Sequence, residues 1–567
     1  MRILLLTHAF NSLTQRLFVA LQQDKHDVTI EFDINDETAQ EAIDLFQPDL
    51  IVAPYLKRAI PDSIWLKHTC LIVHPGIVGD RGPSSLDWTI LNHGNTWGVT
   101  VLQANAEMDA GDIWASIEFD MRDATKASLY RNEVTTAAVQ AVQQAVEHFQ
   151  NTEFKATPLK QKLISAKGKL RPLMAQNVRR INWQNDDTAM VLRKIRCADG
   201  FPGVRDELFG REVFLYDAHA TKGLQGEAGE VIARSGLAIC RATVDGAVWI
   251  GHVKDKTHHH AFKLPATVLF ADKVQDLFEV PEAEGYQQIW YEEDKDVGYL
   301  HFPFYNGAMA SQQCQDLLAA YQQATKQNTK VIVLMGGADF WSNGIHLNMI
   351  EAAKSPADES WANINAMDDL SEAIIRTTSH IVISAMQGNA GAGGVFLARA
   401  ADEVWAHEHV ILNPHYKDMG NLYGSEYWTY LLPKYCGEDH AKRITQARLP
   451  MGVGEALDLG LLDAVIQGEK AGFIEAVKSK ATTLAQQSNI YDRLQKKEVQ
   501  RDQDEADKPL SAYREEELRR MKKNFYGFDP SYHVARYNFV YKVCKSRTPL
   551  TLAAHRSMSL NGLRRAA

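Results

Sequence analysis

Two clusters of residues in this chain have the types and spacing to do chemistry. The first centres on His74, which closes an apolar run, Cys70-Leu71-Ile72-Val73, and precedes Pro75-Gly76. Asp109 follows in the loop Met108-Asp109-Ala110-Gly111-Asp112. A histidine at a strand end and an aspartate in a Gly-containing loop can form an acid–base pair, with the carboxylate orienting the imidazole or holding it protonated. The second cluster comprises Phe340-Trp341-Ser342-Asn343-Gly344-Ile345-His346 and Gln387-Gly388-Asn389-Ala390-Gly391-Ala392-Gly393-Gly394. Glycines there let backbone approach a ligand closely and point N–H groups at it. A dinucleotide loop is an alternative reading of the second stretch, but such a loop normally follows the first strand of its domain, and this one does not.

Two smaller signals carry less. His258-His259-His260 could suggest a metal site, but consecutive residues on a strand alternate faces and no carboxylate stands at ligand spacing, so an exposed loop and no metal are expected. Near the end, Arg536, Lys542, Lys545 and Arg547 make either a solvated helix face or a cradle for the phosphates of a nucleotide such as that of coenzyme A.

The elements that must position these residues are α/β in type. Arg2–Leu6 and Asp49–Ala53 read as parallel strands, with helices over Ser12–Gln23 and Asp36–Phe46. From about 155 to 280 the pattern becomes a small β domain. Its strands are Val213–Tyr216, Gly229–Ala233, Leu237–Arg241 and Val248–Val253, entered by a helix over Asp187–Arg196. The acidic stretches Glu279–Gly285 and Glu292–Asp296 read as linker. A further α/β region follows, and then a charge-rich helical end.

Composition bounds the function. The chain has 567 residues, 45% hydrophobic and 23% charged, which is globular and long enough for about three to four domains of ~150 residues. A net charge of −10 argues against binding nucleic acid through its phosphates. No apolar run approaches the ~20 residues of a membrane span, and the apolar N-terminus turns polar at Thr7-His8, so a soluble, cytoplasmic protein is expected. Cys70, Cys197, Cys240, Cys314, Cys436 and Cys544 have no close pairing, which suggests buried free thiols.

The first cluster resembles the 10-formyltetrahydrofolate-dependent formyltransferases, whose hallmark is Asn-x-His followed by a Leu-Asp-x-Gly loop. The resemblance implies that His74 and Asp109 are catalytic. It also implies that the loop Ala53–Lys57, with Tyr55 and Leu56, and Asp112 serve the folate. It covers residues 1 to about 150 and, more weakly, the β-rich middle through Ile181-Asn182-Trp183. The chain departs from the pattern at Ile72, where the family has its Asn. Ile72 cannot hydrogen-bond the formyl oxygen, so either another group supplies the donor or the acceptor needs less help than an amine, as a thiol would.

The second cluster, with Pro450–Ile466, resembles the enoyl-CoA hydratase/isomerase (crotonase) family over about 297 to 466. The resemblance implies that the N–H groups of Ile345 and Gly393 hold a thioester carbonyl and that Gly391 lies in the CoA loop. The family's two hydratase glutamates align with Phe396 and His415, so hydration is not expected. Tyr416 and Glu426 stand nearby as replacement polar groups, while Tyr427, Trp428 and Tyr430 read as core aromatics.

The expected architecture is therefore an α/β multidomain chain. A Rossmann-like formyltransferase domain spans 1–155, a small β-rich, OB-like domain 156–285, a crotonase-like ββα spiral 286–467, and a helical extension 468–567. This fusion resembles the maturation factors of nickel–iron hydrogenases. For those, the resemblance implies formyl transfer from 10-formyltetrahydrofolate to coenzyme A, decarbonylation of formyl-CoA to CO, and delivery to other maturation proteins. One CoA molecule is expected to serve both sites. Two readings stay open beside it: formyl transfer to an amine of a sugar nucleotide or tRNA with a structural crotonase part, and a non-enzymatic scaffold.

Overall fold

The nearly uninterrupted apolar run after Met1 forms an inner strand of a sheet covered on both faces, as parallel strands require. The computed structural model describes residues 1–162, 166–258 and 261–557, so His259 and His260 of the triple-histidine run lie outside the described residues. The chain divides into two compact units, residues 1–286 with 545–567, and residues 287–544.

The first unit opens with β1 (Arg2–Thr7), β2 (Asp27–Phe32), β3 (Leu50–Tyr55), β4 (Cys70–His74), β5 (Thr96–Gln103) and β6 (Ile113–Asp120), in the order β2-β1-β3-β4-β5-β6. The helices Ser12–Gln23 and Asp36–Phe46 begin where the side chains of Asn11 and Asn35 accept the N–H groups of Thr14 and Thr38. The sheet is not parallel throughout: β5 runs antiparallel to both β4 and β6. The segment between β5 and β6, residues 104–112, is shorter than the dozen or so residues of a parallel crossover, so the two strands can only be antiparallel neighbours.

The β-rich middle consists of β7 (Val204–Leu208), β8 (Arg211–Ala220), β9 (Val231–Ser235), β10 (Ala238–Ala242), β11 (Ala247–Asp255), β12 (Lys263–Pro265) and β13 (Phe278–Glu279). The expected entry helix is present at Thr188–Arg196, capped by Asp187. The last described segment also belongs to this unit. Leu552 and Thr548 accept the N–H groups of Ile30 and Phe32, and Arg556 pairs with buried Glu31 at 2.8 Å, covering the free edge of β2. The helical region expected as one extension over 468–567 is thus divided between the units.

The second unit comprises β14 (Trp290–Asp294), β15 (Val297–His301), β16 (Val331–Met335), β17 (Phe340–Ser342), β18 (Ile381–Met386), β19 (Asn389–Gly391), β20 (Glu403–His407), β21 (Ile411–Asn413), β22 (Met451–Gly452) and β23 (Ala464–Ile466). They form a large sheet, β14-β15-β16-β18-β20-β23, and a small one, β17-β19-β21-β22. Each of β16, β18 and β20 turns at its end into a strand of the small sheet, the repeating unit of the expected spiral. The supposed acidic linker is mostly structured. Glu292, Glu293 and Asp294 lie on the edge strand β14, where charge discourages further strand pairing, and Glu279 lies in β13. Of the cysteines, Cys70, Cys197, Cys240 and Cys314 are buried, but Cys436 is half-buried and Cys544 exposed. Among the described residues no helix is long and apolar enough to cross a membrane.

Candidate active sites

His74 is the last residue of β4 and is buried. Its Nε2 lies 3.0 Å from Asp80 Oδ1 and its Nδ1 lies 3.5 Å from Asp109 Oδ2, so a carboxylate meets each ring nitrogen and the ring plane is held. Asp109 has left-handed backbone, φ 51°, which aspartate tolerates better than most residues, and its carboxylate accepts the Gly82 N–H at 3.0 Å. Gly76 makes the close approach possible. A Cβ there would lie 2.4 Å from His74 Nε2 and 2.6 Å from Asp80 Oδ1. The other Asp80 oxygen, Oδ2, is buried without a hydrogen-bond partner among the described residues, an acceptor that a bound molecule or water could satisfy.

The folate candidates lie in the same sheet domain as His74. Tyr55 ends β3 and meets the rings of His8 and Tyr130 edge-on at 6.0 and 6.4 Å. Leu56 and Ile72 pack on the same apolar cluster as Ile60 and Ile64, giving a wall without donors. The side chain of Asp112 is exposed, while its carbonyl accepts the Gln103 N–H.

In the second unit, pairing of β17 with β19 brings the two Gly loops side by side. A Cβ on Gly344, which has φ +74°, would lie 3.4 Å from the Gly393 nitrogen. Ile345 follows directly, and Gly391 faces Asn343, whose Oδ1 would lie 3.1 Å from an added Cβ. Glu426 is wholly enclosed and abuts Gly393, where an added Cβ would lie 2.2 Å from its Oε1. Tyr416 donates its hydroxyl to Glu426 Oε2 and stacks on buried Phe396 at 5.3 Å. The structure therefore joins Tyr416, Glu426 and Gly393. Burial, reinforced by the nearby Asp368 charge, pushes the Glu426 carboxyl up to about 8, and burial pushes the Tyr416 phenol well up. His415, at the other hydratase position, has its pKa lowered by burial, and its Nδ1 stands 4.0 Å from Asp418. Tyr427 and Tyr430 are core residues, and Trp428 is half-buried.

The four basic tail residues are divided between the two units. Arg536 is buried and donates to Glu351 at 2.7 Å, and Lys542, its pKa lowered by burial, lies 4.1 Å from the Phe539 ring centre. Both belong to the second unit. Lys545, 5.9 Å from the Phe32 ring centre, and Arg547, paired with Glu41 at 2.8 Å, belong to the first. Two of the four charges are thus already met by carboxylates.

Sequence reading missed three carboxylates. Asp80 had a usable signal, since it stands six residues after His74 in the turn Gly79-Asp80-Arg81-Gly82. Asp368 and Glu517 had none: each lies in a charge-rich helix and looks like a solvated surface residue until the fold buries it.

Comparison with known proteins agrees with this division. Residues 1–146 match the formyl transferase family, 173–261 the formyl transferase C-terminal domain, and 299–529 the enoyl-CoA hydratase/isomerase family. The chain is 23% identical over 203 residues to a methionyl-tRNA formyltransferase of Bacillus licheniformis, covering 35% of this chain and 63% of that protein. The crystal structure of HypX from Aquifex aeolicus in complex with tetrahydrofolic acid is 45% identical, with a TM-score of 0.94 over 98% of this chain and 99% of that one. The hydrogenase maturation factor HoxX of Bradyrhizobium diazoefficiens is 56% identical over 556 residues, 98% of this chain and 97% of that protein. An identity of this size over the full length shows that the chain belongs to the HypX/HoxX family of hydrogenase maturation factors.

Proposed function

We propose that the first unit moves the formyl group of 10-formyltetrahydrofolate to the thiol of coenzyme A. The second unit then splits the formyl thioester into CO and free thiol, the CO serving as a ligand for the iron of a nickel–iron hydrogenase. The observation that carries this reading is Glu426. It is a buried carboxyl, its pKa raised to about 8 by burial, set against Gly393 at the start of the helix Gly393–Arg399, where Phe396 would stand in place of a hydratase carboxylate.

At the first site the thiol sulfur bonds to the formyl carbon, the carbon–nitrogen bond to the folate breaks, and the thiol proton ends on that nitrogen. His74 is placed to move this proton, with Asp80 and Asp109 fixing its ring. Tyr55 and Leu56 would flank the folate, and the apolar Ile72 offers no donor to the formyl oxygen.

At the second site the formyl C–H proton passes to Glu426. The C–H electron pair stays on carbon as CO departs, and the C–S pair goes to sulfur. Glu426 then returns the proton to the thiolate, so no water is consumed. The N–H groups of Ile345 and Gly393 would hold the carbonyl oxygen during these steps. Supplying purified protein with 10-formyltetrahydrofolate and CoA, and trapping CO with deoxyhaemoglobin, tests the whole reading. Formyl-CoA or formate accumulating without CO would reject the second half.

The pH dependence follows from the raised carboxyl. The ionised form of Glu426 accepts the proton, so CO release from formyl-CoA should rise with pH to a plateau, with its midpoint at about 8. A profile already flat from ordinary carboxylate pKa values upward would assign the base elsewhere.

Gly393→Ala tests the geometry. Its Cβ would lie 2.2 Å from Glu426 Oε1, so the carboxyl must move. Displacement of a reacting group on this scale costs about 10²-fold. The expected loss is in kcat with formyl-CoA, and an unchanged kcat would place the proton acceptor away from Gly393.

A further inference from the structure

Glu426 and the bulky Tyr427 after it both have left-handed backbone, φ 59° and 60°. Non-glycine residues persist in that region only where their surroundings enforce it. Two fully buried carboxylates grip successive residues of the segment. Asp368, on the helix Pro356–Arg376, accepts the Ser425 hydroxyl at 2.6 Å and the Glu426 N–H at 2.8 Å. Glu517, on the helix Leu510–Tyr526, accepts the Tyr427 N–H at 3.0 Å, and the Thr429 N–H and hydroxyl at 2.9 and 2.6 Å. The same helix reaches further back along the segment, where Asn524 accepts the Tyr423 N–H. Enclosing carboxylates is costly unless their oxygens are hydrogen-bonded, and here those bonds converge on the few residues that aim one side chain.

We propose that Asp368 and Glu517 are positioning residues for Glu426, and that the helix Leu510–Tyr526 is therefore a working part of the thioester site. This rests on the assignment of Glu426 to proton transfer. Asp368 holds the Glu426 amide while its charge opposes ionisation of Glu426, and Glu517 locks the left-handed turn that directs the carboxyl at Gly393. The groups facing Glu426 are Asp368, Tyr416, Cys314 and Glu517, with Arg514 acting through Asp368 at 3.9 Å. The Asp368 carboxyl, raised to about 6 by burial, ionises before Glu426, so its charge is in place when Glu426 titrates.

Asp368→Asn keeps an acceptor for the Glu426 N–H but removes the charge. The midpoint of CO release against pH should fall by about one unit. Infrared difference spectra of the Glu426 carboxyl, identified by its loss in Glu426→Gln, should show the same displacement without turnover. Glu517→Leu should lose about 10²-fold in kcat with little change in KM, and Glu517→Gln should recover most of it. If the infrared midpoint stays put in Asp368→Asn and Glu517→Leu turns over like wild type, both residues merely cap a helix and the proposal is overturned. If Glu517→Leu fails to fold, the near-isosteric Asp368→Asn decides. A wild type that releases no CO, together with an infrared midpoint that falls in Asp368→Asn, would remove the decarbonylation reading and leave the positioning role standing.

Discussion

With formyl-CoA supplied directly, Glu426→Gln is expected to release CO about 10²–10⁴-fold more slowly than wild type, the usual loss when a general acid–base group is removed. The amide is close in shape to the carboxyl, so packing against Gly393 and the hydrogen bond from Tyr416 can persist while proton transfer cannot. Tyr416→Phe should have a smaller effect, because the phenol orients Glu426 without itself exchanging the proton. Its ring stack on Phe396 is retained by phenylalanine. Deoxyhaemoglobin trapping measures both variants. Wild-type CO release by the two of them would make the pair structural and send the proton by another route.

Formyl transfer should collapse in His74→Ala, and in Asp109→Asn, by a comparable ~10²–10⁴-fold, while folate binding measured by calorimetry stays near wild type. In the proposed transfer the imidazole carries the proton; each carboxylate holds one of its nitrogens, and neither variant removes the apolar wall of Leu56 and Ile72. Asp80→Asn, at the shorter 3.0 Å contact, should also slow transfer. Full activity in both His74→Ala and Asp109→Asn would remove the first site from the reaction.

Periodicity located the helices Ser12–Gln23 and Asp36–Phe46 to the residue, because each starts at an Asn cap and presents one apolar face. The direction of β5 was not legible, since strand pattern is blind to whether a neighbour runs parallel or antiparallel. The acidic run at β14 misled because an exposed edge strand and a linker share the same polar composition.

By itself, the sequence determined the fold classes, the two candidate clusters, and their resemblance to a formyltransferase motif and a crotonase glycine loop. All of these depend on residue types at short, ordered spacing. Tertiary structure alone decided which carboxylates attend them. Asp80 closes on His74, and Asp368 and Glu517 enclose the turn at Glu426 from helices 58 and 91 residues away along the chain. A charged residue on a helix reads as solvated from its neighbours in sequence. Only packing reveals that it has been taken out of water, and that removal from water is what raises the proton affinity of Glu426.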